Sequence, residues 1–187
     1  AAHAENPDDL SYVEVQSIVY GLSFAGHEIV RNLISNSLLV FLGERQNWER
    51  LCAEPGMIKP AIEDVLRFNS AQTSWRRVTT KDTEFRGIKL PKGTEVFMSL
   101  AAANRDPRLF DHPDRYDMDR DNASKHIAFG RGPHICLGRL LAKLELTTVL
   151  NLLIEKVPSL RLVMGQELSY FPNFSFRGPK TLYLTWE

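Results

Sequence analysis

The chain has 187 residues, 43% of them apolar, and its 23 Lys and Arg balance its 23 Asp and Glu. That is enough to bury a core in one domain or a large piece of one, while the cancelled charge gives no basis for polyanion binding and excludes nucleic acid as an expected partner. Two cysteines in dissimilar contexts, Cys52 and Cys136, argue against a disulfide framework and for a reducing compartment. No signal peptide is evident, and the longest apolar stretch is broken by Glu28, Arg31 and Asn32. Neither a membrane span nor export is therefore expected, and a cytoplasmic setting fits.

Ser11-Tyr12-Val13-Glu14 has the form of a capping box, no proline follows as far as Leu42, and Gly43 is placed as a stop. One long helix is predicted over residues 11–42, about 31 residues and roughly 45 Å. Its apolar residues run nearly all the way round, so it should be central and buried. A short helix around Glu44 to Ala53 follows, and Pro60 leads AIEDVLRF into a helix over 58–69. Residues 73–98 alternate β-branched and aromatic side chains around Leu90-Pro91-Lys92-Gly93, which predicts a small antiparallel sheet with a type I turn. Residues 104–128 are rich in Asp, Arg, Pro and His without periodicity and read as a long ordered coil. A helix is predicted over 137–157, and residues 159–187, with LRLVM, FSF and TLYLTW, read as short strands.

Between coil and last helix lies FGRGPHICLG, residues 129–138. A cysteine at the mouth of a helix is stabilised as a thiolate by unpaired N–H groups and the helix dipole, which suits a single-point metal ligand. Cys52, in WERLCAEPG, reads as an ordinary helix-end thiol. A zinc site built from His126, His134 and Cys136 lacks a fourth ligand at plausible spacing.

Phe129, Gly132, Cys136 and Gly138 fit F-x-x-G-x-x-x-C-x-G, and in this the chain resembles the cytochrome P-450 family of haem-thiolate proteins. AGHE in the long helix, DVLR in the short one, Arg77 five residues before Asp82, and NRDPRLFDHPDRYDMDR in the coil follow in the family's order and spacing. The resemblance covers the chain as the C-terminal half of the family fold. It implies a mostly α fold with small antiparallel β-sheets, incomplete on its N-terminal side.

The resemblance implies haem b (iron protoporphyrin IX) as cofactor, with Cys136 as the proximal iron ligand and Phe129 packed under the ring. Gly130, Gly132 and Gly138 would let the loop approach the porphyrin, as would Ala25 and Gly26 on the other face. His134 and Arg77 match the partners of the haem propionates. Asp64, Arg67 and Arg120 match a structural ion-pair triad whose first member is usually Glu; either the helix sits closer to the coil, or Glu63 substitutes.

In the long helix the family's acid–alcohol pair follows Ala-Gly, and here Glu28 is present but Ile29 stands in place of the alcohol. That hydroxyl serves proton delivery in the family, a task isoleucine cannot perform; Glu28 is alternatively only an i,i+3 partner of Arg31. Leu22, Ala25, Ile29, residues 71–75 (Ala71, Gln72, Thr73, Trp75 among them) and Asn173, Phe174 and Ser175 correspond to substrate-lining segments and suit a small to medium organic molecule.

The activity implied is a monooxygenase, with O2 as co-substrate and electrons from NAD(P)H through a ferredoxin or flavodoxin-type donor and its reductase. Such a donor could dock at Arg131, Arg139 and Lys143. The alternatives are a peroxide-driven peroxygenase, a haem-thiolate isomerase or dehydratase, and a haem-binding protein without turnover.

Overall fold

In the computed structural model, which describes residues 10–187, Ser11 caps the longest element, helix α1 (Tyr12–Gly43). Glu14 N–H donates to Ser11 Oγ at 3.3 Å, and Ser11 N–H returns the bond to Glu14 Oε2 at 2.7 Å. Only the C-terminal part of this helix is buried within the chain, from Val30 through Leu33, Leu38 and Phe41 to Leu42. Tyr12, Val13, Ile18, Val19, Tyr20 and Leu22 are exposed, which corrects the expectation of a helix buried along its whole length. An all-round apolar pattern reports what a helix can bury; it does not say which neighbour covers it.

Helix α2 (Arg45–Ala53) and helix α3 (Ile58–Phe68) fold back on α1, separated by a 3-10 turn with Pro55 at its first position. Trp48 and Leu51 of α2, Ile58, Ile62 and Val65 of α3, and Leu146 and Leu150 of helix α5 (Arg139–Lys156) join Leu33, Phe41 and Leu42 of α1 in one core. Trp48 Nε1–H donates to Pro158 O at 2.8 Å, so the indole is buried with its polar atom satisfied.

The β-region forms two separate hairpin-like pairs, not one sheet. Strand β1 (Ser74–Val78) pairs antiparallel with β4 (Glu95–Ser99) from Ser74↔Ser99 to Val78↔Glu95. Inside that connection β2 (Thr83–Phe85) pairs with β3 (Ile88–Leu90) across Arg86 and Gly87, both at positive φ. The turn after β3 closes one residue later than expected: Thr94 N–H donates to Pro91 O, and Gly93 takes φ 86, a conformation open to glycine.

A four-residue helix, α4 (Leu100–Ala103), leads into the coil, where the 3-10 turn Ala123–Lys125 is the regular element. After α5, β5 (Arg161–Leu162) pairs with β6 (Leu184–Thr185). The FSF stretch makes no strand. It contributes one bridge, Gln72↔Phe176, and a bond from Thr73 N–H to Ser175 O, and these seat residues 173–176 beside β1.

Candidate functional site

The cysteine loop is shaped by two glycines in the left-handed region, Gly130 at φ 73 and Gly132 at φ 84. Three backbone bonds close it: Gly130 N–H to Ile127 O at 2.9 Å, Ile135 N–H to Gly132 O at 3.0 Å, and Cys136 N–H to Phe129 O at 2.9 Å. The last one sets Cys136 beside Phe129. Cys136 is half-buried, three residues ahead of α5, where the first-turn N–H groups have no intrahelical partner. Arg139 Nη1 donates to Cys136 O at 3.2 Å and holds the loop's exit. The other thiol differs in kind: burial pushes Cys52 above its ordinary range, so it stays protonated.

The loop stands on α3 and the coil. Asp64 and Arg67 point from one face of α3, with fully buried side chains. Asp64 accepts from Arg67 Nε at 2.5 Å, from Arg120 Nε at 3.0 Å and from the Asp117 N–H at 2.6 Å, so the structure brings the three expected triad residues together. Arg67 spends its remaining donors on Asn104 O, Pro113 O and Arg115 O, while Arg120 reaches Asp111 O, His112 O and Arg115 O. An aperiodic coil is thereby fixed by side chains in place of backbone ladders.

Glu63 does not take Asp64's role. Its oxygens meet His126 Nε2 at 3.2 Å and Lys143 Nζ at 2.5 Å. Asn104 was not among the expected site residues, yet it is fully buried and its Oδ1 accepts the Ile127 N–H at 2.8 Å, two residues before the loop. Its only sequence signal is a position at the head of the coil.

On α1, Ala25 and Gly26 are exposed, and a Cβ added at Gly26 would meet nothing within 4 Å. A Cβ added at Gly130, Gly132 or Gly138 would likewise meet nothing within 4 Å. Ile29 is half-buried and packs on the core. Glu28 lines an open hollow of about 520 Å³ with His27, Arg31, Phe171, Pro172 and Asn173. A second hollow, about 430 Å³, is lined by Asn173, Phe174 and Ser175 with Arg76, Phe97 and Pro172.

Residues 71–75 meet 173–176 through Thr73 Oγ1 and Ser74 Oγ, which both donate to Phe174 O, at 2.6 and 2.7 Å. Gln72 is buried and its Nε2 donates to Ser74 O and Ser175 O, so it holds the segment in shape. Ala71 is likewise buried, whereas Trp75 is exposed and packs edge-on to Phe176. Leu22 is exposed on α1, and Phe24, one turn before Glu28, stacks edge-on with Phe176 at 5.5 Å.

His134 and Arg77 lie apart from the triad, both exposed. Arg77 Nη1 donates to Arg76 O, and among the described residues neither side chain pairs with a carboxylate, which leaves both able to meet an anionic group. Of the expected basic docking patch, Arg131 is exposed, but Lys143 is neutralised by Glu63.

The family model described as Cytochrome P450 matches residues 56–157. The biotin biosynthesis cytochrome P450 of Bacillus subtilis (strain 168) is 39% identical over 180 residues, covering 96% of this chain and 45% of that protein. The vitamin D(3) 25-hydroxylase of Pseudonocardia autotrophica is 37% identical over 187 residues, 99% of this chain and 46% of that protein. The crystal structure of the Tepidiphilus thermophilus P450 heme domain superposes with a TM-score of 0.92 at 37% identity, over 96% of this chain and 43% of that one. The chain thus spans about half the length of the curated relatives it matches.

Proposed function

The chain belongs to the cytochrome P450 family, and from that premise we propose that it is the cysteine-bearing part of a haem-thiolate monooxygenase acting on a small to medium organic substrate. The observation that carries this reading is the backbone-pinned Cys136 beside Phe129, in a loop whose glycines face open space.

The residues present fit haem b. No group of three or more His, Cys, Asp or Glu able to hold a metal occurs among the described residues, so Cys136 would be a lone protein ligand, as suits a metal that arrives with four nitrogen donors of its own. Haem, when bound through a thiolate, supplies one-electron and O2 chemistry, the thiolate favouring O–O cleavage. Cys136, Phe129, Gly130 and Gly138 would hold it on one face and Ala25 on the other, with His134 and Arg77 for its carboxylates. The bare Ala25-Gly26 surface admits a flat ligand because no side chain stands there.

In the overall reaction one atom of O2 enters the substrate and the other leaves as water, with two electrons originating in NAD(P)H. Glu28, at the position of the family's acid, would hold a proton at the hollow it lines with His27 and Asn173. Ile29 contributes packing and no proton. The exposed aromatic and apolar groups around the hollows, Phe171, Phe174 and Phe97, favour an organic substrate, and Asn173 supplies a polar anchor. A separate ferredoxin or flavodoxin-type protein with its reductase would deliver electrons, steered by Arg131. The same reading includes a cytoplasmic setting, the compartment that provides NAD(P)H; among the described residues no helix is long and apolar enough to cross a membrane.

Replacing Cys136 by His in the haem-loaded protein should abolish the red-shifted Soret band of the reduced carbon monoxide complex; a retained band removes Cys136 as ligand. Ile29 favours a second reading, a peroxide-driven catalyst. Turnover with hydrogen peroxide but not with redox partners would select it, and ligand-induced spectral change with no product from either source would leave a haem-binding protein without turnover.

A further inference from the structure

Glu63 and Asp64 are neighbours on α3 but serve different segments. Asp64 faces the coil, whereas Glu63 reaches both flanks of the cysteine loop. His126 lies three residues ahead of Phe129. Its Nδ1 accepts the Ala128 N–H at 3.1 Å, which leaves Nε2 as the protonated nitrogen that donates to Glu63 Oε2 at 3.2 Å. Lys143 lies just over one turn past Gly138, and its ammonium donates to the other oxygen, Oε1, at 2.5 Å. One carboxylate therefore ties the loop's entry to the helix at its exit.

Phe129 sits within this bracket. The Lys143 ammonium lies 5.7 Å from its ring centroid, and the His126 ring is 6.0 Å away. The His126 side chain is 4% exposed, Glu63 23% and Lys143 32%, so the contacts are sheltered from the screening that weakens surface pairs. Phe129 in turn accepts the Cys136 N–H. The path from the carboxylate to the cysteine backbone is continuous: Glu63, His126 and Lys143, Phe129, Cys136.

We propose that Glu63, His126 and Lys143 are positioning residues that brace the cysteine loop through Phe129 and keep the Cys136 thiolate in ligating geometry. This rests on the reading of Cys136 as the haem ligand. The brace is independent of the Asp64 ion pair, which fixes the coil. Glu63 touches no reacting atom; it acts through Phe129.

The test uses the full-length haem-loaded protein and the reduced carbon monoxide complex. One reads the rate at which the red-shifted Soret band converts to the unshifted one under mild heating, and separately follows global unfolding by far-ultraviolet circular dichroism. E63Q and K143M should each speed conversion about tenfold, the size expected for one lost charge-assisted hydrogen bond, while the global transition moves little. The double variant should convert well short of the product of the two single accelerations, because the variants share the Glu63–Lys143 bond. Should E63Q not accumulate as folded protein, K143M carries the same test.

Conversion at the wild-type rate overturns the proposal, as does acceleration that only tracks global unfolding or that multiplies in the double variant. If the wild-type protein shows no red-shifted band at all, the haem-ligand reading has failed, an outcome distinct from failure of the brace.

Discussion

Arg67 and Asp64 lie one turn apart on α3 with no solvent exposure, Arg67 Nε donating to Asp64 Oδ1 at 2.5 Å. The carboxylate is saturated by Arg67, Arg120 and the Asp117 N–H, so the shorter acid already reaches every partner that the coil presents. Truncating it strands two guanidinium groups, one of them fully buried, and a buried charge left without its partner costs about 3–5 kcal/mol. D64A should therefore lower unfolding stability in denaturant by roughly that amount. D64E keeps the charge but inserts one methylene into a closed site, at about 1–3 kcal/mol. If D64E proved as destabilising as D64A, charge pairing would not be what anchors the coil.

The features legible in the sequence are those whose signal is local. Ser11 and Glu14 announce the start of α1 because the capping box closes within four residues, and Asp64 and Arg67 share a face through helical spacing. The left-handed turns of the loop are carried by Gly130 and Gly132, as glycine is the residue free to adopt them. The failures are long-range. Glu63 meets Lys143 across 80 positions and His126 across 63, and neither pairing has a pattern to betray it. The β-region read as one sheet because alternation reports a pleated segment without naming its partner. Exposure of the first part of α1 was hidden for the same reason: its apolar residues state a capacity for burial, and burial belongs to a neighbour.

Gly178 is set by packing and not by backbone. Its φ is unremarkable, yet an added Cβ would collide with the Asn32 side chain, which is buried and whose Oδ1 accepts from Arg31 Nη2 at 3.0 Å. G178A should cost about 1–3 kcal/mol through overpacking. Adding N32G removes all three obstructing atoms, Oδ1, Cγ and Cβ, so the double variant, measured against N32G alone, should regain much of the loss beyond additivity in denaturant unfolding. Strict additivity would show that Gly178 is needed for another reason.

Burial pushes the Glu63 carboxyl upward, but its bonds to His126 and Lys143 together outweigh that and hold it below its ordinary value of 4.5. A carboxyl depressed in the folded state stabilises it above the unfolded value, and that contribution is lost as pH falls through the folded one. The difference in unfolding stability between wild type and E63Q should therefore be level above pH 4.5 and shrink below it. Glutamine keeps an acceptor oxygen, so the comparison isolates the charge. A difference that widened on acidification would contradict the sign of the shift.

Ile29 follows Glu28 directly and is half-buried against the core, so a change there alters both proton chemistry and packing. I29T introduces a hydroxyl one residue after the acid, at the position where the family resemblance expects an alcohol, and keeps a β-branched side chain. The lost methyl contact should cost about 0.5–1.5 kcal/mol, the range for a similar truncation to valine, so I29V serves as the packing control. If the missing hydroxyl limits proton delivery, I29T should raise the fraction of NAD(P)H electrons recovered in product, measured against oxygen consumption and peroxide release, while I29V should not. Equal coupling in all three proteins would assign proton delivery to a group other than residue 29, with Glu28 the first to examine. A gain in I29V alone would show instead that the bulk of isoleucine, and not its lack of a hydroxyl, sets the efficiency.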